Sequence, residues 1–122
     1  MSVNYDNNER RKYSRVIKSL PLKITGEDFD IVTETKNLSP SGAYCQVSKY
    51  LEPLTKLKII LLLPFKRKEK TITKKISCQG VVIRTDNIPL KKDYYNIAIY
   101  FNDIQKKDLH KISDYITSFI KK

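Results

Sequence analysis

The stretch IVTETKNLSPSGAYCQVS, residues 31–48, decides the fold. Its first half, IVTETKNL (31–38), alternates β-branched residues with polar ones, the pattern of a half-buried strand. Pro40, Ser41 and Gly42 then break the run, and AYCQVS (43–48) resumes it with Ala43, Cys45 and Val47 on one face. Two strands joined by so short a break must pair antiparallel.

The same pattern extends outward. LPLKIT (20–25) precedes the turn cluster GEDFD, and KLKIILLL (56–63) and TITKKISCQGVVIRT (71–85) flank a basic tip, PFKRKEK. That pair reads as a hairpin whose lysine-rich tip is a solvated loop or a nonspecific electrostatic contact. DNIPLKKD (86–93) reads as a loop, and YYNIAIYF (94–101) as a sixth strand. Six strands at short spacing predict a mainly β protein, a six-stranded antiparallel barrel. Closure also removes the unpaired edges that so many apolar strands would otherwise expose.

The period changes after Phe101. Leu109, Ile112, Ile116, Phe119 and Ile120 follow steps of three and four, an amphipathic C-terminal helix that packs on the barrel and covers one opening. Asn102 with Gln105 resembles a capping box at its start. The expected division is an N-terminal arm, residues 1–19, and a barrel with its helix, residues 20–122.

Length and composition bound the function. A chain of 122 residues with 40% apolar and 30% charged residues is one globular domain with a single core. No apolar run reaches the ~18–20 residues of a membrane span, and the N-terminus lacks an apolar export segment. Cys45 and Cys78 stand too far apart to form a metal or redox motif, and each sits in an apolar alternation, so both read as buried hydrophobes. These features predict a reduced, cytoplasmic protein. Catalysis is not expected: His110 is the single histidine, and there is no triad, paired-carboxylate site, phosphate-cradling glycine loop or metal spacing. No cofactor or metal is expected either.

The charge points to a ligand class. Twenty-four Lys+Arg against 13 Asp+Glu give +11, which implies an anionic partner: nucleic acid, a membrane surface or a phosphorylated small molecule. Nineteen of those cations are lysines, and three of the five arginines fall within residues 10–15. Lysine makes a generic field, whereas the planar guanidinium makes bidentate, directed contacts and stacks on flat rings. Arg11 and Arg15, four apart, point to one side of an extended arm. Asn37 and Ser39 share a strand face by the same alternation, and Gly42 supplies either a positive φ or a close backbone approach. Arginine matches both a phosphate and the guanine O6/N7 edge.

Arg11-Lys-Tyr-Ser-Arg15 followed by Asn37-Leu-Ser39-Pro-Ser-Gly42 resembles the RxxxR and (D/N)xSxxG signature of the PilZ domain family, bacterial receptors for cyclic di-GMP. The second motif arises by chance about 0.03 times in a chain of this composition. The resemblance covers nearly the whole chain and implies a cytoplasmic cyclic di-GMP receptor or adaptor. Such a protein changes conformation on binding and signals to an unknown effector in motility, adhesion or exopolysaccharide control. It implies that Arg11 and Arg15 contact guanine and phosphate, that Asn37 and Ser39 complete the guanine site, and that Gly42 shapes it. Lys12, Ser41 and Arg84, the last taken to end a strand, are auxiliary candidates.

Asn37 stands where aspartate is common in the family, and Ala98 where glycine is. Arg10, directly before the first motif arginine, implies binding of a stacked ligand dimer, two molecules per chain. Two other readings compete. One is a small basic barrel that binds nucleic acid, with Tyr44, Tyr94, Tyr95 and Tyr100 as stacking candidates. The other is a PilZ-fold adaptor that contacts proteins and binds no ligand.

Overall fold

The computed structural model describes residues 17–120. Six strands and one helix follow in order: β1 (Pro21–Thr25), β2 (Asp30–Ser39), β3 (Gly42–Val47), β4 (Lys56–Arg67), β5 (Lys70–Ile88), β6 (Lys91–Asp103) and α1 (Lys106–Ile120). The strands close into a barrel in the order β1-β2-β3-β6-β5-β4, with β4 returning to pair with β1. Every pairing is antiparallel. The predicted barrel and its terminal helix are both present.

Alternation explains the closure. Leu57, Ile59, Leu61 and Leu63 of β4 point inward, as do Leu22 and Ile24 of β1 and Ala43, Cys45 and Val47 of β3. Ile76 and Val82 of β5 and Ile97, Ile99 and Phe101 of β6 complete the core. Each large side chain removed from water contributes about 1.5–3 kcal/mol, so the alternation fixes which face of each strand turns inward. Burial pushes the Cys45 thiol up to about 12, as expected of a cysteine used as a hydrophobe.

The helix packs across β2, β4 and β5 and closes one end of the barrel. It buries Ile112, Ile116 and also Tyr115. Tyr115 meets Phe65 of β4 edge-on at 5.7 Å and Phe119 at 4.9 Å. Leu109 is only half-buried and His110 is exposed. The capping expectation needs correction: Asn102 still belongs to β6, and the Gln105 carbonyl accepts the first helical bonds, from the Asp108 N–H at 3.0 Å and the Leu109 N–H at 2.9 Å. Gln105 is therefore the residue that starts the helix.

Two expected loops are strands. β4 runs through Phe65 to Arg67, so only Lys68 and Glu69 turn at the basic tip. β5 and β6 likewise pair out to Ile88 and Lys91, leaving Pro89 and Leu90 to turn. Lys68 (φ 54°) and Leu90 (φ 67°) both hold the left-handed conformation that tight hairpin turns require. Neither turn carries Asn-Gly or Asp-Gly, which is why neither was legible. No helix among the described residues is long and apolar enough to cross a membrane.

Candidate functional site

The site grows from the β2–β3 turn. Ser39 and Gly42 face each other as the last ladder pair, with Pro40 and Ser41 between them. The Ser39 hydroxyl, almost fully buried, accepts from the Ser41 N–H at 3.3 Å and lies 3.1 Å from the Ser41 hydroxyl. It also donates to the Gly42 carbonyl at 3.4 Å. The Phe101 N–H donates to the Ser41 carbonyl at 2.9 Å, which ties the turn down onto β6.

Gly42 is needed for a close approach, not for its φ, because no glycine among the described residues has a positive φ. A Cβ there would run into the Ile99 carbonyl oxygen and lie 3.1 Å from the Ile99 carbonyl carbon and 3.4 Å from the Tyr100 Cα. The absence of a side chain lets β3 and β6 meet at the turn.

Beside this turn, on the outer barrel wall, lies a cavity of about 420 Å³ lined by Asn37, Ser39, Ser41 and Gly42 together with Tyr44, Ile83, Arg84, Ala98 and Tyr100. A volume of that order lies within the range of small-molecule sites. Asn37 and Ser39 both reach it although the β2 register shifts between Thr35 and Asn37. Leu38 between them points into the core, fully buried.

Arg84 sits opposite Ala98, and Ala98 opposite Tyr44, in one row across three strands. The small Ala98 side chain leaves the row open, and the Arg84 guanidinium lies 5.8 Å from the Tyr44 ring centroid. Its Nε pairs with Asp86 Oδ2 at 2.8 Å. Hydrogen bonding to Tyr44 and then to Asp86 raises the Arg84 pKa further above its usual value. Arg84 does not end its strand, since β5 continues to Ile88. A register shift between Val82 and Arg84 turns Ile83 outward beside it, 57% exposed.

The wall therefore offers an amide, two hydroxyls, a flat guanidinium and two exposed or half-exposed phenol rings. It has a single cation, already partnered by Asp86. An anionic ligand would need more positive charge, and the sequence supplies it in Arg10, Arg11, Lys12 and Arg15, which lie outside the described residues.

The point where the arm joins the barrel is described. Thr35, buried in β2, donates from its hydroxyl to the Lys18 carbonyl at 2.5 Å and accepts from the Leu20 N–H at 3.1 Å. Its own N–H donates to the Leu20 carbonyl at 2.9 Å. Two residues from Asn37, Thr35 pins the chain beside the cavity.

Thr35 was not singled out in the sequence, because a threonine in a strand reads as β-propensity and nothing more. Tyr44 and Tyr100 were legible only as generic aromatics, and Ile83 not at all, because a bulge placed it.

Comparison with known proteins agrees with this architecture. The family model described as PilZ domain matches residues 9–118. Among solved structures, "Structure of Bacillus subtilis Inhibitor of motility (MotI/DgrA)" is similar with a TM-score of 0.77 and 24% identity, over 91% of this chain and 51% of that one. This chain thus spans about half the length of that protein. No curated protein sequence matches it. With both motifs and the whole barrel inside the matched span, the chain belongs to the PilZ domain family.

Proposed function

We propose that this chain is a receptor for cyclic di-GMP that signals to a partner protein. One observation carries the reading: Asn37, Ser39, Ser41, Gly42 and Arg84, chosen from sequence on three separate strands, line one cavity. Membership of the PilZ family supports the ligand class.

In this reading the Asn37 amide and the Ser39 and Ser41 hydroxyls bond a guanine edge, and Gly42 keeps the backbone low enough for the base to approach. Arg84, stacked on Tyr44, presents a flat cation to a base or a phosphate. Arg11 and Arg15 supply the phosphate charge that the wall lacks, reaching across from the Thr35 anchor. Closing the arm over the ligand loses ordering entropy, and the new surface is what a partner reads. Motility is the process named by the similar solved structure, and we propose it as the first process to test.

Calorimetric titration with cyclic di-GMP in moderate salt tests the reading. Saturable binding at micromolar affinity or tighter is expected. Failure to bind cyclic di-GMP, together with tight, steeply salt-dependent binding of single-stranded oligonucleotides, would instead support the nucleic-acid alternative. Binding to neither would favour a ligand-free adaptor.

A further inference from the structure

The β4–β5 hairpin carries a second surface that cyclic dinucleotide binding does not use. Between residues 64 and 75 it holds six cations (Lys66, Arg67, Lys68, Lys70, Lys74 and Lys75) and one anion, Glu69. Beyond the fully buried Leu63 and Ile76, the strands continue as a two-stranded ribbon, paired from Pro64 with Thr73 to Arg67 with Lys70. Among the described residues, the ion pairs are Arg84 with Asp86 and Lys111 with Asp108, and neither touches the ribbon. Arg67 and Lys70 sit directly opposite each other, an arrangement that repels. The ribbon keeps a concentrated charge that the fold itself does not neutralise.

Apolar groups lie beside this charge. The core-facing side of the ribbon continues past the barrel as Phe65 and Ile72, the latter 40% exposed. Phe65 joins Tyr115 and, through it, Phe119, which is 37% exposed. The Lys74 ammonium lies 4.6 Å from the Phe65 ring centroid, and that of Lys18 lies 4.9 Å from the Phe119 centroid. Exposed apolar side chains are thus flanked by ammonium groups on long, flexible stems.

We propose that the β4–β5 ribbon and the adjoining end of α1 dock on a lipid bilayer rich in anionic headgroups. Five of the six ribbon cations are lysines, which suit a fluid field of phosphates and offer little to a partner that must be gripped in one geometry. Clusters of this size next to a membrane attract anionic lipid with an effect that grows with each cation. Ile72 and Phe119 then enter the headgroup boundary while the lysines remain at its surface. A nucleic-acid duplex would meet the same charge but leave these apolar groups without a partner. This inference stands independently of the proposed cyclic di-GMP site.

Co-sedimentation of the full chain with phosphatidylcholine vesicles, with and without about 30 mol % phosphatidylglycerol, tests it at about 0.1 M salt. Binding to the anionic vesicles alone is expected. Lys66→Gln, Lys68→Gln and Lys70→Gln combined should lower the partition coefficient about a hundredfold, roughly fivefold per charge. Ile72→Ser should lower it a few-fold at unchanged charge. Lys56→Gln, Lys58→Gln and Lys92→Gln combined remove the same charge from exposed positions elsewhere and should have a much smaller effect. Thermal melting of each variant confirms that it is folded. Three results overturn the proposal: no preference for anionic vesicles, equal losses in the two triple variants, or tighter ribbon-dependent binding to duplex DNA than to vesicles.

Discussion

Substituting Gly42 with alanine adds one methyl group and should cost far more than a methyl usually does. The new Cβ meets backbone on the neighbouring strand: the Ile99 carbonyl oxygen, with the Ile99 carbonyl carbon 3.1 Å away and the Tyr100 Cα 3.4 Å away. Backbone held in a ladder cannot swing aside as a side-chain tip does. The two strands must separate by roughly an ångström to restore van der Waals contact.

That separation strains the ladder where Gly42 pairs with Tyr100 and Ala43 with Ile99, and the Phe101-to-Ser41 bond beside it. Overpacking of this kind costs about 1–3 kcal/mol, and a weakened hydrogen bond about 1 kcal/mol more. The sum, about 2–4 kcal/mol, should lower Tm by about 10 °C in a domain of this size.

The other two glycines are internal controls. The atoms nearest a Cβ at Gly26 all belong to the Phe29 side chain, which has rotamer freedom that backbone lacks. One at Gly80 meets first the Ile99 Cγ2 at 2.8 Å, then the Ile59 Cδ1 and the Tyr100 carbonyl oxygen, both at 3.1 Å. Differential scanning calorimetry of the three alanine variants should rank the losses Gly42, then Gly80, then Gly26. A Gly42→Ala protein that melts within about 2 °C of the unmodified chain would refute the close-approach argument.

Further tests address the ligand and the core. Arg11→Lys and Arg15→Lys keep the charge and lose the planar fork, so cyclic di-GMP binding should fall at least about tenfold, or about 1.4 kcal/mol, by calorimetry. Neutralising two ribbon lysines should cost much less affinity, and an equal loss would mean a diffuse electrostatic patch. Asn37→Ala and Ser39→Ala should weaken binding while thermal melts show a change of no more than about 1.5 kcal/mol. Calorimetric stoichiometry should approach two ligands per chain, with Arg10→Leu moving it towards one, and a ratio near one for the unmodified chain would exclude a stacked dimer. Burial raises the Cys45 thiol from its usual 9.0 to about 12, so it keeps its proton in the folded chain while the unfolded chain loses it. Its contribution to stability is therefore complete below pH 9.0 and lost as pH rises towards 12. Over that window the unmodified chain should lose up to about 1.4 kcal/mol per pH unit more than Cys45→Val in denaturant melts.

The outline of the fold was legible because period-2 alternation is a local property. Ala43, Cys45 and Val47 could be assigned to the core from sequence because a strand has only two faces and only one was apolar. The strand ends were not legible. The β4–β5 and β5–β6 extensions consist of charged and turn-forming residues whose pairing depends on the opposite strand, so their composition suggested loops. The helix start was misplaced for a related reason: β6 keeps pairing through Asp103, opposite Gln79, and consumes the residue that resembled a cap.

The site divides in the same way. By itself the sequence singled out the candidate groups, because Asn37, Ser39, Gly42 and the arginines of residues 10–15 are unusual in type and spacing wherever the chain places them. Only the tertiary structure decided that Arg84 joins them, 42 residues after Gly42 by number but two strands away in space. It also placed Tyr44 beneath that arginine, turned Ile83 outward through a bulge and made Thr35 the anchor of the arm. Those roles depend on cross-strand register, which barrel closure sets through contacts between residues distant in the chain, and no local pattern encodes such contacts.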